Sequence, residues 1–179
     1  MKRRGALAGL ACLALLLAGC GGDQNKPPSG PYNVTEVFDG DSFNLSAANG
    51  KTVRVRLAGI DAPERSQPFS NKAKESLSSL LASGEITLEP LKVDKYDRWI
   101  ANVRVNGNDV GLTQLHRGYA WFFVRYRQDL SDAMQTQYAN AERDARDARV
   151  GLWAGLNAKG NPGLYPEPPW EFRQKKKDR

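Results

Sequence analysis

From Tyr32 the chain alternates between apolar and polar positions. "YNVTEVF" (Tyr32 to Phe38) alternates, "DGD" turns, and "SFNLS" (Ser42 to Ser46) returns, which predicts a hairpin. "AANG" (Ala47 to Gly50) makes a second turn into "KTVRVRLAGI", where Val53, Val55 and Leu57 share one face and Arg54 and Arg56 the other. The period then lengthens. Pro68 to Ala82 reads as a helix, with Phe69, Ala73, Leu77, Leu80 and Leu81 as its buried stripe, Pro68 opening it and Gly84 ending it. "EITLEPLKV" is a further strand in which Pro90 marks an edge or a bulge, and "DKYDR" turns into the strand "WIANVRV". After "NGND", Asp109 to Arg117 forms a short helix stopped by Gly118, and "YAWFFV" is a short buried strand or turn. Ser131 to Arg149 is the longest helix, with Met134, Tyr138, Ala141, Ala145 and Ala148 at helical spacing. Its charges, Glu142 to Asp144 and Arg146 to Asp147, read as a solvated face with i, i+4 pairs. Five short strands, a helix after the third and helices beyond predict an α+β fold. The expected architecture is an OB-fold-like five-stranded β-barrel with about three packed helices.

The N-terminus breaks this pattern. Lys2, Arg3 and Arg4 precede an apolar run from Ala6 to Ala18, too short for a membrane span and typical of a secretory signal. The run closes on "LAGC" (Leu17 to Cys20), which resembles the bacterial lipobox and implies cleavage before Cys20 and lipid attachment to it. Residues 1–19 are therefore expected to be a lipoprotein signal peptide. Residues 20–31 would be the lipidated Cys20 and a Pro-rich tether, 32–157 the folded domain, and 158–179 a Pro-rich extension ending in a basic tail (Lys175 to Arg179) that either adds non-specific phosphate affinity or is a frayed, solubilising end. Gly21 and Gly22 after the cysteine, with no Asp beside it, favour the outer membrane in a Gram-negative cell. The expected location is the cell envelope, facing the periplasm or the exterior.

Charge and cysteine content narrow the chemistry. The net charge is +6, and Lys2, Arg3 and Arg4 leave with the signal, so the excess downstream is +3. That suits an anionic partner such as nucleic acid without deciding for it. Downstream of Cys20 there is no thiol, and His116 is the only histidine, which excludes a soft or borderline metal centre and any disulfide framework.

An acidic turn such as "DGD" is an ordinary hairpin device when alone. Its setting changes at "RLAGIDAPE" (Arg56 to Glu64). Asp61 ends a strand and Glu64 follows across Ala62 and the stiff Pro63, so both can face one pocket. The exit turn of the first strand can lie beside the end of the third, gathering Asp41, Asp61 and Glu64. Three such carboxylates repel unless a cation sits among them, and oxygen donors suit a hard ion, Ca²⁺ or Mg²⁺. Arg56 and Arg98, near a strand's end and another's start, would add two guanidiniums that fit a phosphate.

"DGDS", "RLAGIDAPE" and "DKYDR", in that order and spacing, resemble the three motifs of the staphylococcal nuclease (thermonuclease-like) family. The likeness runs from about Tyr32 to Trp153, and "GLWA" and "PPWEFR" look like the ending of secreted bacterial members. The resemblance implies a Ca²⁺ site formed by Asp41, Asp61 and the backbone carbonyl of Ala62, where the family more often has Thr. It implies that Glu64 orients or deprotonates the attacking water, and that Arg56 and Arg98 clamp the scissile phosphate. Lys95 and Tyr96 match residues that contact a terminal phosphate. Tyr126 matches one of two pocket tyrosines, and the other falls on Val124. The implied reaction is Ca²⁺-dependent hydrolysis of DNA and RNA at the 5′ P–O bond, leaving 3′-phosphates, with little sequence preference and by a monomer. The alternative is a binding module that holds single strands on exposed aromatics without cutting them.

Overall fold

The computed structural model describes residues 26–155 and 166–178. The predicted signal, Cys20 and the first part of the tether lie outside the described residues, as does the 157/158 boundary. Among the described residues no helix is long and apolar enough to cross a membrane.

Strands β1 (Asn33–Val37), β2 (Ser42–Ser46) and β3 (Thr52–Leu57) form the expected meander. The register sets Phe43 opposite Val55 and Leu45 opposite Val53, so one face of the β2–β3 pair is wholly apolar and buried. β3 ends in a tight turn at Gly59, whose φ of 70° is left-handed backbone that glycine adopts without strain. Short β4 (Ile60–Asp61) follows and pairs with β8 (Trp121–Phe122) outside the main sheet.

Helix α1 (Ser70–Leu81) then crosses to β5 (Ile86–Val93), which pairs antiparallel with β6 (Trp99–Val105). A register shift between Pro90 and Lys92 places the bulge where proline predicted it. β6 closes against β3 in parallel, with Arg56 opposite Ile100, and further along the same edge, opposite β5, it carries the small β7 (Asn108–Asp109). The order β1-β2-β3-β6-β5 is that of the partly open OB-type barrel. Helices α2 (Val110–His116) and α3 (Asp132–Asp147) begin at side-chain caps from Asp109 and Ser131. Barrel and helices share one core, from Phe43 and Leu45 through Leu77 and Leu115 to Tyr138.

Four expectations change. Phe69 does not join the α1 stripe: it sits before the helix in left-handed conformation (φ 67°), exposed, while Ser70 turns inward and donates its hydroxyl to the Arg65 carbonyl. Ala148 is likewise exposed, because α3 ends at Asp147. The charged face of α3 is not fully solvated either. Glu142 and Arg146 pair at 3.1 Å, the Arg146 guanidinium lies 4.4 Å from the Trp153 ring centroid, and burial pushes the Glu142 carboxyl up against the pull of Arg146. Finally, the basic tail is ordered into helix α4 (Pro169–Lys177), with proline in its first turn and three lysines in its last, the favourable sense for the helix dipole. Its Trp170 stacks on Phe123 (centroids 5.4 Å, planes 16° apart) and meets Trp121 edge-on.

Candidate active site

The turn after β1 divides the labour between its two carboxylates. Asp39 Oδ1 accepts from the Asp41 and Ser42 backbone N–H groups and the Ser42 hydroxyl at 2.7–3.0 Å, so Asp39 shapes the turn. Asp41 is thereby aimed inward, where its Oδ2 accepts from the Ala62 N–H at 2.8 Å. Gly40 is required by close approach: a Cβ there would lie 2.6 Å from that of Ala73 and 2.8 Å from that of Ala62. Behind it, fully buried Gln114 donates to the Gly40 and Ala73 carbonyls and accepts from Ser76. The turn is thus pinned from the core.

Arg56 leaves β3 on the face opposite Val55 and reaches both acids. Its Nη2 is 2.8 Å from Asp61 Oδ1 and 3.4 Å from Asp41 Oδ2, and its Nη1 donates to the carbonyl of Ile60 at 3.1 Å. Asp61, held in β4, is 1% exposed. Burial drives the Asp41 carboxyl well above the usual carboxylate range; Arg56 opposes this, and Asp39 and Asp61 add to it. Burial works against the Arg56 charge, but Asp41 and Asp61 outweigh it and stabilise the cation. The buried Asp41 carboxyl therefore resists ionisation unless further positive charge is brought to the pocket.

Glu64 stands at the rim, its side chain 38% exposed. Its carboxylate is joined to Asp61 through Arg173 of α4, whose Nη1 lies 2.7 Å from Glu64 Oε1 and whose Nη2 lies 2.7 Å from Asp61 Oδ2. Those bonds raise the Arg173 pKa above its ordinary value although burial opposes it. Among the described residues, no three His, Cys, Asp or Glu side chains are gathered closely enough to hold a metal by themselves. The three predicted acids are gathered through two guanidiniums instead.

Residues 54–155 match the family model described as "Staphylococcal nuclease homologue". The chain belongs to the staphylococcal nuclease family. A micrococcal nuclease of Shigella flexneri is 33% identical over 154 residues, covering 81% of each chain. An uncharacterized endonuclease of Haemophilus influenzae is 31% identical over 157 residues, 88% of this chain and 82% of that one. An uncharacterized 38.1 kDa protein of Capnoides sempervirens is 37% identical over 139 residues, 75% of this chain but only 37% of the relative, so this chain spans about a third of that protein. Membership makes the protein a nuclease-type hydrolase.

Within this nuclease-family fold the second predicted arginine stands apart. Arg98 Nε and Nη2 clasp Asp94 Oδ2 at 2.9 and 2.7 Å, and its guanidinium lies 5.4 Å from the Tyr96 ring centroid. Burial acts to raise the Asp94 pKa, but the side-chain and backbone donors of Arg98 and the Tyr96 N–H outweigh it and hold the carboxyl below its ordinary range. Lys95 reaches over the same ring at 5.0 Å, and Arg54 donates to the Tyr96 carbonyl. Tyr126 lies in the 3₁₀ segment after β8, half exposed, edge-on to Phe123 and facing Lys92. Val124, in the same segment, is exposed as well. The structure thus brings Arg56, Asp41, Asp61 and Ala62 into direct contact, reaches Glu64 through α4, gathers Lys95, Tyr96 and the partly buried Arg98 on the turn before β6, and leaves Tyr126 beside Phe123 and Lys92.

Sequence reasoning missed Gln67 and Arg173. Gln67 is buried, accepts from the Glu64 N–H at 2.8 Å and donates to the Glu167 carbonyl at 2.9 Å. A signal for Arg173 was present in "PPWEFR", where proline opens a helix and tryptophan lies three residues before the arginine, one helical turn.

Proposed function

We propose that the protein is a Ca²⁺-dependent nuclease that hydrolyses DNA and RNA at the 5′ P–O bond and leaves 3′-phosphate ends. The observation that carries this is the pair of buried carboxylates, Asp41 and Asp61, sharing Arg56 beside the rim carboxylate of Glu64. The donor set fits a hard divalent cation. Both acids are buried oxygen donors, and burial pushes the Asp41 carboxyl up, a cost that a bound cation would offset. Asp41, Asp61 and the Ala62 carbonyl would hold it, and it would supply positive charge against the phosphate oxygens as they become more negative.

The remaining chemistry belongs to the chain. Glu64 orients the attacking water and accepts its proton as the new P–O bond forms and the bond to the 5′ oxygen breaks, the departing 5′ oxygen taking a proton from solvent to leave as the hydroxyl. Arg56, fixed in the pocket, donates to the phosphate, and Arg98 joins it by exchanging Asp94 for a phosphate oxygen. Every contact named is to phosphate rather than to a base edge, which accounts for indifference to sequence and sugar. One chain can supply every residue named here, which suits action as a monomer. Lipid at Cys20 would tether it outside the cytoplasm, where extracellular nucleic acid is the accessible substrate.

Purified protein is incubated with single-stranded DNA in Ca²⁺, Mg²⁺ or EDTA, beside Glu64→Gln. Cleavage in Ca²⁺ alone, 3′-phosphate ends and a rate lowered about 10²- to 10⁴-fold in the variant are expected. Strand binding by both proteins without cleavage would replace the enzyme by a binding module.

A further inference from the structure

Helix α4 lies beyond residues 54–155, the span that matches the family model; it meets Glu64 directly through Arg173, and the segment just ahead of it reaches the Glu64 backbone through Gln67. One contact acts on the backbone. The Gln67 side chain accepts the Glu64 N–H and donates to the carbonyl of Glu167, two residues before α4 begins. The other acts on the carboxylate, which Arg173 joins to Asp61 with two 2.7 Å bonds. The helix is itself held firmly: Pro169 is buried, and Trp170 is packed between Phe123 and Trp121. Trp121 is opposite Asp61 in the β4–β8 ladder, so the anchor and the acid belong to one rigid unit.

We infer that Arg173 is a positioning residue that fixes Glu64 against Asp61, making the C-terminal helix part of the active site. This rests on the nuclease reading of Glu64. The physical need is plain. Glu64 sits on a loop outside any helix or strand, with a side chain more than a third exposed, and a free carboxylate there would sample several rotamers. Misplacing a reacting group by about 1 Å can cost roughly a hundredfold in rate. A planar guanidinium can span two carboxylates at once, whereas an ammonium offers a single point of charge.

The test uses the full chain with Arg173→Gln, Arg173→Lys and Trp170→Ala, the last loosening the helix without touching either acid. Steady-state cleavage of single-stranded DNA, Ca²⁺ binding by calorimetry, and hydrogen exchange over residues 61–67 are measured for each. In Arg173→Gln and Trp170→Ala, kcat should fall about 10- to 100-fold with KM for DNA within about threefold. Arg173→Lys should recover part of that loss. Calorimetry should show the variants still taking up Ca²⁺, and exchange over 61–67 should quicken roughly tenfold in Trp170→Ala. A kcat within about twofold of wild type in Arg173→Gln overturns the inference. So does faster cleavage, which would make the contact inhibitory. If the wild type does not cut at all, the nuclease reading fails, and the hold of α4 on the Glu64 loop is then judged by exchange alone: faster exchange in Trp170→Ala upholds it, unchanged exchange overturns it.

Discussion

Two arginines expected to do the same work, Arg56 and Arg98, live in opposite surroundings. Arg56 emerges from the middle of the sheet, bonds to two buried carboxylates and donates to backbone carbonyls. Arg98 stands on an exposed loop, and its partner Asp94 lies four residues back in the same turn. The acidic pocket is ordered when the chain folds, because buried charges tolerate no slack. Lys95, Tyr96 and Tyr126 are exposed and rest on local turn and ring contacts instead of buried ion pairs. The cost of positioning is met in folding on one side and in binding on the other.

Removing each guanidinium in turn should expose that contrast most strongly. Arg56→Ala strips Asp41 of its nearest guanidinium and leaves Asp61 with Arg173 alone, so stability should drop by about 3 kcal/mol and cleavage should become undetectable. Thermal unfolding in EDTA, beside the cleavage assay, reads both effects. A melting temperature unchanged from wild type would mean that the pocket is not prepaid in this sense.

Arg98→Ala comes next in size. Its ion pair with Asp94 is partly exposed and local, so losing it should cost no more than about 1 kcal/mol of stability. Loss of a donor aimed at a developing oxyanion should still lower kcat by roughly 10²- to 10³-fold. A variant that unfolds as readily as Arg56→Ala, or that cuts at the wild-type rate, would erase the difference between the two regions.

The same contrast explains which parts were legible in the sequence. Alternation and turn chemistry predicted β1, β2 and β3 nearly to the residue, and Pro90 marked its own bulge. The inward turn of Asp41 comes from the acidic turn motif, whereas Arg56 and Asp61 were readable because strand geometry aims side chains: once Val55 faces the core, Arg56 must face away from it. Two elements were not readable. Periodicity assigns Phe69 to the α1 stripe, but a left-handed turn before the helix throws it outward, and no pattern of apolar spacing contains that turn. The role of α4 was hidden for another reason. Its nine residues are too few and too charged to hold a helix alone, and their order comes from Trp170 docking on rings nearly fifty positions earlier. A contact of that range carries no local signature.

The smallest effect falls on Tyr96, whose ring is 59% exposed beneath Lys95 and Arg98. Nothing in the core depends on it, so Tyr96→Ala should leave the melting temperature unchanged. If its ring stacks on a base, the loss is worth about 1–3 kcal/mol and should appear in KM for single-stranded DNA, not in kcat. Tyr96→Phe keeps the π-face and should bind as wild type does. Double-stranded DNA, whose bases are already stacked, should register less of the change than single strands. A kcat that falls with KM unmoved would mean that the ring instead steadies the Arg98 guanidinium above it. The exposed face would then be preorganised too, by a cation–π contact where the pocket uses buried salt bridges.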